Sequence, residues 1–201
     1  MFDVLIIGGG VAGMSCALVL GSARNKPFAS HKSIAIITHQ KTASLHGAVY
    51  NNVYGIPAGT LGDDLLAQSI VQLQESYPHI IQIPNEKVLQ VEGQAPSFKV
   101  ITNRNTYTTK AIVIAIGAAN TFSMEGLMHY VMPHQKSIPA KNRIQLANQD
   151  HKVAEGIYVA GTLAGWSSQL PIAAGSGASV ATDLLTLWNN GIPTHVHDSV
   201  K

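Results

Sequence analysis

Cysteine is almost missing from this chain: Cys16 is the single one in 201 residues. An internal disulfide and a CxxC redox pair are therefore excluded. Cys16 falls inside an apolar helical stretch, which marks it as a small buried side chain rather than a reactive thiol. Charge is scarce as well. Charged residues make up 12%, the formal net charge is +2, and Lys and Arg are scattered without a run or stripe. No nucleic-acid partner is expected. With 46% hydrophobic residues the composition is that of a compact globular chain, not a disordered one. Val4 to Ala23 carries no charge and is long enough for a signal peptide or a membrane span. However, no Lys or Arg precedes it, Asp3 stands at its front and three glycines interrupt it. The expectation is no membrane and a cytoplasmic location.

What is present begins at once. Gly8-Gly9-Gly10-Val11-Ala12-Gly13 follows the apolar run Phe2–Ile7 and opens a helical stretch, Met14–Gly21. This GxGxxG spacing sits between a strand and a helix, the setting in which it binds a dinucleotide. Gly8 allows the tight turn, Gly10 lets a diphosphate approach the backbone, and Gly13 lets helix and strand pack closely. The helix start, with Val11 and Ala12, presents N–H groups and a positive dipole end to the phosphates. The competing reading is a glycine-rich structural turn.

Further along, Ser33–Thr38 reads as a second parallel strand, and Asp63–Gln74 as a helix whose start Asp63 or Asp64 caps or charge-stabilises. Ile80–Ile83, Lys87–Glu92 and Phe98–Thr102 read as strands. Ala111–Ile116 is a solid apolar run, hence a buried parallel strand ended by Gly117. Ala119–Asp150 looks irregular, Ile157–Ala160 is a last core strand, and Ala173–Trp188 a last helix. The order predicts an α/β fold: one doubly wound Rossmann-like domain over residues 1–190. It would have a parallel central sheet, helices on both faces and a small antiparallel insertion. Residues 119–155 form a connector and 191–201 a tail.

Four more segments, taken in order with the opening glycines, resemble the FAD-binding half of low-molecular-weight thioredoxin reductases. Asn52-Val53-Tyr54-Gly55-Ile56-Pro57, followed by Gly59, Gly62 and Leu65, resembles their N-x-P-G-x-P stretch. Lys110–Ala118 resembles their A-T-G strand, with Ile116 where Thr is usual. Gly156–Gly161 resembles the G-[IL]-[FY]-A-x-G-D strand. Ser168–Gly177 resembles the helix start R-Q-x-x-x-A-A-G-x-G. The family's NADPH domain, with its second glycine fingerprint and CxxC, has no counterpart: Ala119–Glu155 is far too short for it. A thioredoxin reductase mechanism is thereby excluded.

The resemblance implies FAD as cofactor, held by Gly8, Gly10, Val11, Ala12, Gly13, Thr38, His39, Gly47, Asn52, Val88, Ala115, Gly117, Gly161, Thr162, Gln169, Leu170 and Ala173. Two positions depart from the family pattern. Thr38 stands where a carboxylate usually accepts bonds from the adenosine ribose. Thr162 replaces the Asp of G-D, removing a charge-assisted bond worth about 1.5–3 kcal/mol and also a repulsion against the diphosphate. His39 and Lys41 leave NADP(H) in the same site, through a 2′-phosphate, as the lesser reading, and a degenerate site without ligand as another.

The last helix start, Ile172–Ser176, would aim N–H groups at the flavin ring. Gln169 reads as a ring contact or a plain loop polar residue. Trp166 is either stacked at the mouth of the site or buried in the core or an interface. His129, Tyr130, His134 and Lys136 read as a lid or proton donor above the ring, or as solvated connector. His46 beside Gly47 reads as a backbone contact to the cofactor. His195 and His197 have a metal-like spacing but read as tail, and no metal is expected. The functional expectation is an FAD-dependent oxidoreductase that passes electrons from diffusing NAD(P)H or a redox protein partner. The missing domain would uncover an apolar face, so a homodimer is expected. The alternative is a non-catalytic dinucleotide-binding module or a complex subunit.

Overall fold

A computed structural model gives the fold over residues 1–39, 44–119 and 121–197. The apolar opening run becomes β1 (Val4–Ile7), the glycine turn follows, and α1 spans Val11–Ser22. The chargeless stretch from Val4 to Ala23 is thus divided into strand, turn and helix. β2 (Ile34–Thr38) comes next, then the short antiparallel pair β3 (Val49–Tyr50) and β4 (Thr60–Leu61), α2 (Gly62–Ser76) and β5 (Ile81–Pro84). β6 (Val88–Gln94), β7 (Ser97–Thr102) and β8 (Thr106–Thr109) form an antiparallel three-stranded sheet. β9 (Ile112–Ile114) is the buried apolar run. A hairpin of β10 (Val131–Pro133) and β11 (Ile144–Leu146) stands in the stretch expected to be irregular. β12 (Lys152–Ala154), β13 (Ile157–Val159) and α3 (Leu170–Trp188) close the fold.

The central sheet is six-stranded in the order β12-β13-β9-β1-β2-β5. All neighbours are parallel except β12, which runs antiparallel to β13. Every residue of β1, β2, β9 and β13 is buried, as continuous apolar runs in a two-sided parallel sheet require. Their side chains alternate between two cores. Val4, Ile6, Ile34, Ile36 and Val113 meet Cys16 and Leu20 of α1, Leu73 of α2, and Val180 and Leu184 of α3. Leu5, Ile7, Ile37, Ile112, Ile114 and Val159 face the other way, onto Val91, Phe98 and Val100 of the antiparallel sheet and onto Leu127 and Leu146 of the connector. The doubly wound sheet stands as expected from the sequence, with one difference of detail. The long helices share the first face, and the small antiparallel sheet covers the second. Phe98 and Val100 supply that cover, so no long helix is needed there. Cys16 is fully buried, which pushes its thiol far above the ordinary range and leaves it inert.

A buried carboxylate holds the antiparallel sheet. Glu86, 5% exposed, accepts hydrogen bonds from Thr102 Oγ1 (2.6 Å), Asn105 Nδ2 (2.6 Å) and Tyr107 Oη (2.8 Å). Burial pushes its pKa up, but these donors and the Arg104 charge outweigh that and hold it below the usual range. Glu86→Ala would leave the Asn105 and Tyr107 donors without an acceptor, Thr102 keeping Asn105 O, and is expected to destabilise by about 2–3 kcal/mol, read by urea denaturation at neutral pH. Because the folded pKa is depressed, this contribution is present above the unfolded value and lost as pH falls through the folded one. The gap between wild type and variant should therefore shrink in acid; a constant gap would refute the charge-assisted account.

Candidate functional site

In a parallel sheet all strands end on the same edge, so the turns that follow β1, β2, β9 and β13 gather there. Gly8 N–H donates to Ile37 O at 2.9 Å and Ala115 N–H to Ile7 O at 2.8 Å, closing the ladder just before the glycine turn. Gly8 has φ +116°, and a Cβ there would lie 2.5 Å from Ala115 O. A Cβ on Gly13 would lie 1.8 Å from Gly8 O. These two glycines are needed by the protein itself.

Gly10 is different. It is the N-cap of α1 with φ −79° and ψ −172°, its backbone is extended, and a Cβ on it would meet nothing within 4 Å. The first helical bond runs from Met14 N–H to Gly10 O at 2.9 Å, so the N–H groups of Val11, Ala12 and Gly13 point out of the helix start without helical acceptors. No acidic residue occupies that turn. Open space over a glycine, uncapped donors and a positive dipole end fit a diphosphate.

At the end of β2, Thr38 is 7% exposed, its carbonyl accepts Asn85 N–H at 2.7 Å, and no described residue bonds its hydroxyl. His39 beside it has a buried Nδ1 without a partner among the described residues. An orphaned buried nitrogen and an unused hydroxyl fit the ribose and base of a nucleotide. Lys41, the second residue of the 2′-phosphate reading, lies outside the described residues.

The third part of the edge is the loop after β13 with the start of α3. A Cβ on Gly161 would touch Ala12 Cβ at 3.0 Å, and one on Gly177 would lie 1.9 Å from Ala12 O. Ser15 Oγ donates to Ala174 O at 2.8 Å. The two helix starts are thereby locked side by side. Gln169 is the N-cap of α3, with no side-chain cap, and Ala173 N–H makes the first helical bond, to Gln169 O at 2.9 Å. The N–H groups of Leu170 and Ile172 are left to face outward.

A buried network fixes this loop. Gly161 N–H donates to Ser176 Oγ at 2.7 Å, and Ser176 Oγ lies 2.9 Å from His151 Nε2. Trp166 Nε1–H donates to the same His151 Nε2 at 3.2 Å, which makes that nitrogen an acceptor whose lone pair the indole N–H and the Ser176 hydroxyl share. Burial holds the His151 pKa below the ordinary range, against the raising pull of Asp183 and Asp150. Trp166 is itself 41% exposed, with Lys136 Nζ 4.4 Å above its ring. It stands at the rim, as one reading of the sequence had it.

The connector is clamped onto the same loop. Lys136 N–H donates to His134 Nδ1 at 3.1 Å, so Nε2 carries the proton and donates to Thr162 O at 2.9 Å. Both ring nitrogens of His134 are engaged, which corrects its reading as a free proton donor: it is a strap between connector and loop. Tyr130 packs against the second core.

The sequence-expected residues therefore divide. Gly8, Gly10, Val11, Ala12, Gly13, Thr38, His39, Ala115, Gly117, Gly161, Thr162, Gln169, Leu170 and Ala173 all lie on the edge where the parallel strands end. Gly47 and Asn52 are exposed in the stretch between β2 and α2, with no hydrogen bond to the glycine turn among the described residues. Val88 opens β6, buried in the second core. The His46 ring bonds Asp63, whose carboxyl is lowered chiefly by that bond. Leu61, not an Asp, is the N-cap of α2, so Asp63 and Asp64 act as first-turn charges. His195 and His197 have rings 5.1 Å apart. Among the described residues, no cluster of three or more metal-binding side chains includes them. His151 was missed by sequence reasoning, and Ser176 was read only as part of the α3 start; their pairing spans 25 positions and follows no motif.

Comparisons with known proteins bear on the family and the fold. Residues 2–177 match the pyridine nucleotide-disulphide oxidoreductase family. A ferredoxin–NADP reductase of Pediococcus pentosaceus is 31% identical over 140 residues, 64% of this chain and 39% of that protein. Ferredoxin–NADP reductase 2 of Shouchella clausii is 33% identical over 119 residues, 59% of this chain and 35% of that protein. The match thus spans well under half the length of these curated relatives. A thioredoxin reductase from Gloeobacter violaceus shares the fold with a TM-score of 0.73 at 17% identity, over 100% of this chain and 99% of that one. A ferredoxin-flavin thioredoxin reductase from Clostridium acetobutylicum does so with a TM-score of 0.68 at 17% identity, over 94% and 98%. The chain belongs to the pyridine nucleotide-disulphide oxidoreductase family, and its cofactor is the FAD of that family's flavoproteins.

Proposed function

We propose that this chain is an FAD-dependent oxidoreductase module that relays electrons through the flavin without a redox disulfide, from a diffusing NAD(P)H or a redox protein. The observation that carries the reading is the juxtaposition of two uncapped helix starts, α1 and α3, locked together at Ala12 and Gly177. The first suits the diphosphate and the second the electron-rich edge of the ring. Bound FAD would supply acceptance and release of two electrons as hydride chemistry. The protein's share is positioning. Gly10 leaves room for the phosphates, Thr38 and His39 meet the adenosine, and Leu170 and Ile172 N–H groups favour a reduced, negatively charged ring. His134 and Ser176 hold the Gly161–Thr162 loop in place. The homodimer and the cytoplasmic location expected from the sequence are part of this proposal; exposed Ile138, Trp166 and Ile172 would give the homodimer an apolar surface.

Titration of the pure protein with FAD, followed by absorbance and calorimetry, tests this. The expected result is stoichiometric yellow protein that bleaches with dithionite and with NADPH or NADH. Colourless protein retained on immobilised 2′,5′-ADP, and released from it by a Gly10→Val change, would replace FAD with NADP(H). The non-catalytic reading draws on Thr38 and Thr162, which leave the nucleotide without either family carboxylate. Flavin that binds but is reduced by no donor other than dithionite would favour it.

A further inference from the structure

A groove of about 260 Å³ opens between the connector and the start of α3, lined among others by Lys136, Ile138, Lys141, Arg143, Trp166 and Gln169. Its charge is one-sided. No Asp or Glu occurs anywhere from Gly126 to Gln149 or from Gly156 to Thr182, the two stretches that build it. Lys136, Lys141 and Arg143 form no ion pair with any described residue. Three cations gathered without a counter-charge repel one another, and an anion between them removes that repulsion.

The groove is also built, not a chance gathering of surface side chains. Gln135 N–H donates to Gln145 Oε1 at 2.8 Å within the connector, and His134 Nε2–H donates to Thr162 O at 2.9 Å, which straps that wall to the other. Pro139 opens a single 3₁₀ turn that ends at Asn142 in the left-handed region, φ +47°, and this brings Lys141 and Arg143 to the same lip. Lys136 is held over the Trp166 ring. Ile138 and Trp166 give apolar surface beside the charges, suited to a planar base. At this volume it is smaller than the ~300–1,000 Å³ of pockets that enclose a whole drug-sized ligand, so it takes the phosphate-bearing end of a longer molecule.

We propose that this groove binds the phosphate end of a nicotinamide dinucleotide donor, with Lys141 and Arg143 on a terminal phosphate and Trp166 against the base. The assignment rests on the reading of the chain as a flavin relay, because the groove borders the Gln169 end of the site where the ring would lie. It gives the donor a place on this chain, in the connector itself.

The test uses 2′,5′-ADP, 5′-AMP and inorganic phosphate as calorimetric probes on the Gly10→Val protein, in which the glycine cradle is blocked. Binding of 2′,5′-ADP that survives Gly10→Val and weakens at least about tenfold in Lys141→Gln/Arg143→Gln supports the groove, since both side chains are surface groups whose loss removes charge-assisted bonds. Steep weakening with salt should accompany it. Binding lost in Gly10→Val overturns the proposal and assigns the nucleotide to the cradle. Inorganic phosphate binding as tightly as 2′,5′-ADP overturns it in favour of a free-anion site. FAD occupancy of the Lys141→Gln/Arg143→Gln protein, measured separately, should match wild type. Its failure in both proteins would count against the flavin reading and leave the groove result standing.

Discussion

Gly10→Val is expected to leave the protein folded and to weaken dinucleotide binding by at least about 100-fold, or roughly 2.7 kcal/mol. The reason lies in two observations about the same residue. Gly10 already has extended backbone angles, φ −79° and ψ −172°, which a β-branched residue adopts without strain. A Cβ there meets no protein atom within 4 Å. The side chain therefore enters only the space over the α1 start that a diphosphate needs. Gly13→Ala should behave in the opposite way. Its Cβ would lie 1.8 Å from Gly8 O, a main-chain atom that cannot swing aside, and the fold should lose about 1–3 kcal/mol or more. Thermal unfolding and FAD titration of both variants separate the two roles. A Gly10→Val protein that binds FAD as wild type does would remove the diphosphate from this turn. One that unfolds would show that Gly10 also serves the packing.

The pair also explains what the sequence could disclose. A GxGxxG between strand and helix states its own geometry, because tight turn, open backbone and close packing each demand a missing Cβ. The strands were legible for a similar reason: β1, β2, β9 and β13 are buried on both faces, so each is an unbroken apolar run. Helix starts were less so. α3 begins at Leu170 rather than Ala173, since Pro171 occupies its first turn, where a proline is tolerated but gives no apolar periodicity. The connector was opaque. β10 and β11 are three residues each, include Pro133 and pair across a gap that no local pattern spans. The roles of His134 and Ser176 depend on partners 28 and 15 positions away. Such contacts are products of the finished fold, and no spacing rule names them. The cationic groove is a middle case. Its lack of acidic residues is written in the sequence, but its closure depends on the hairpin. The switch of cover on the second face has the same origin: an alternating strand pattern does not say which layer its apolar side meets.

Ser176→Ala should damage both stability and the cofactor edge, and its effect should depend on His151. The hydroxyl accepts the buried Gly161 N–H and donates to His151 Nε2, so its removal orphans the Gly161 donor and leaves His151 Nε2 to the Trp166 indole alone. About 1–3 kcal/mol of stability is at stake. The loop so loosened carries Thr162 and abuts Ala12, so FAD affinity should fall alongside by about tenfold. His151 makes this pH-sensitive. Its folded pKa is lowered from 6.5, first by burial, so on acidification the unfolded chain takes up a proton that the folded one resists. The stability it confers is complete above about 6.5 and declines as pH falls from there towards the folded value. His79 is lowered too and adds to the wild-type slope, so the comparison must be between proteins. His151→Gln keeps an acceptor for Ser176 but cannot titrate; its denaturation free energy should change less between about pH 7.5 and about pH 5.5 than that of wild type. FAD retention should follow the same course, falling with acid in wild type and flattening in the variant. Equal slopes in the two proteins would mean that His151 is merely packed there, and that Ser176 alone holds Gly161 to the cofactor edge.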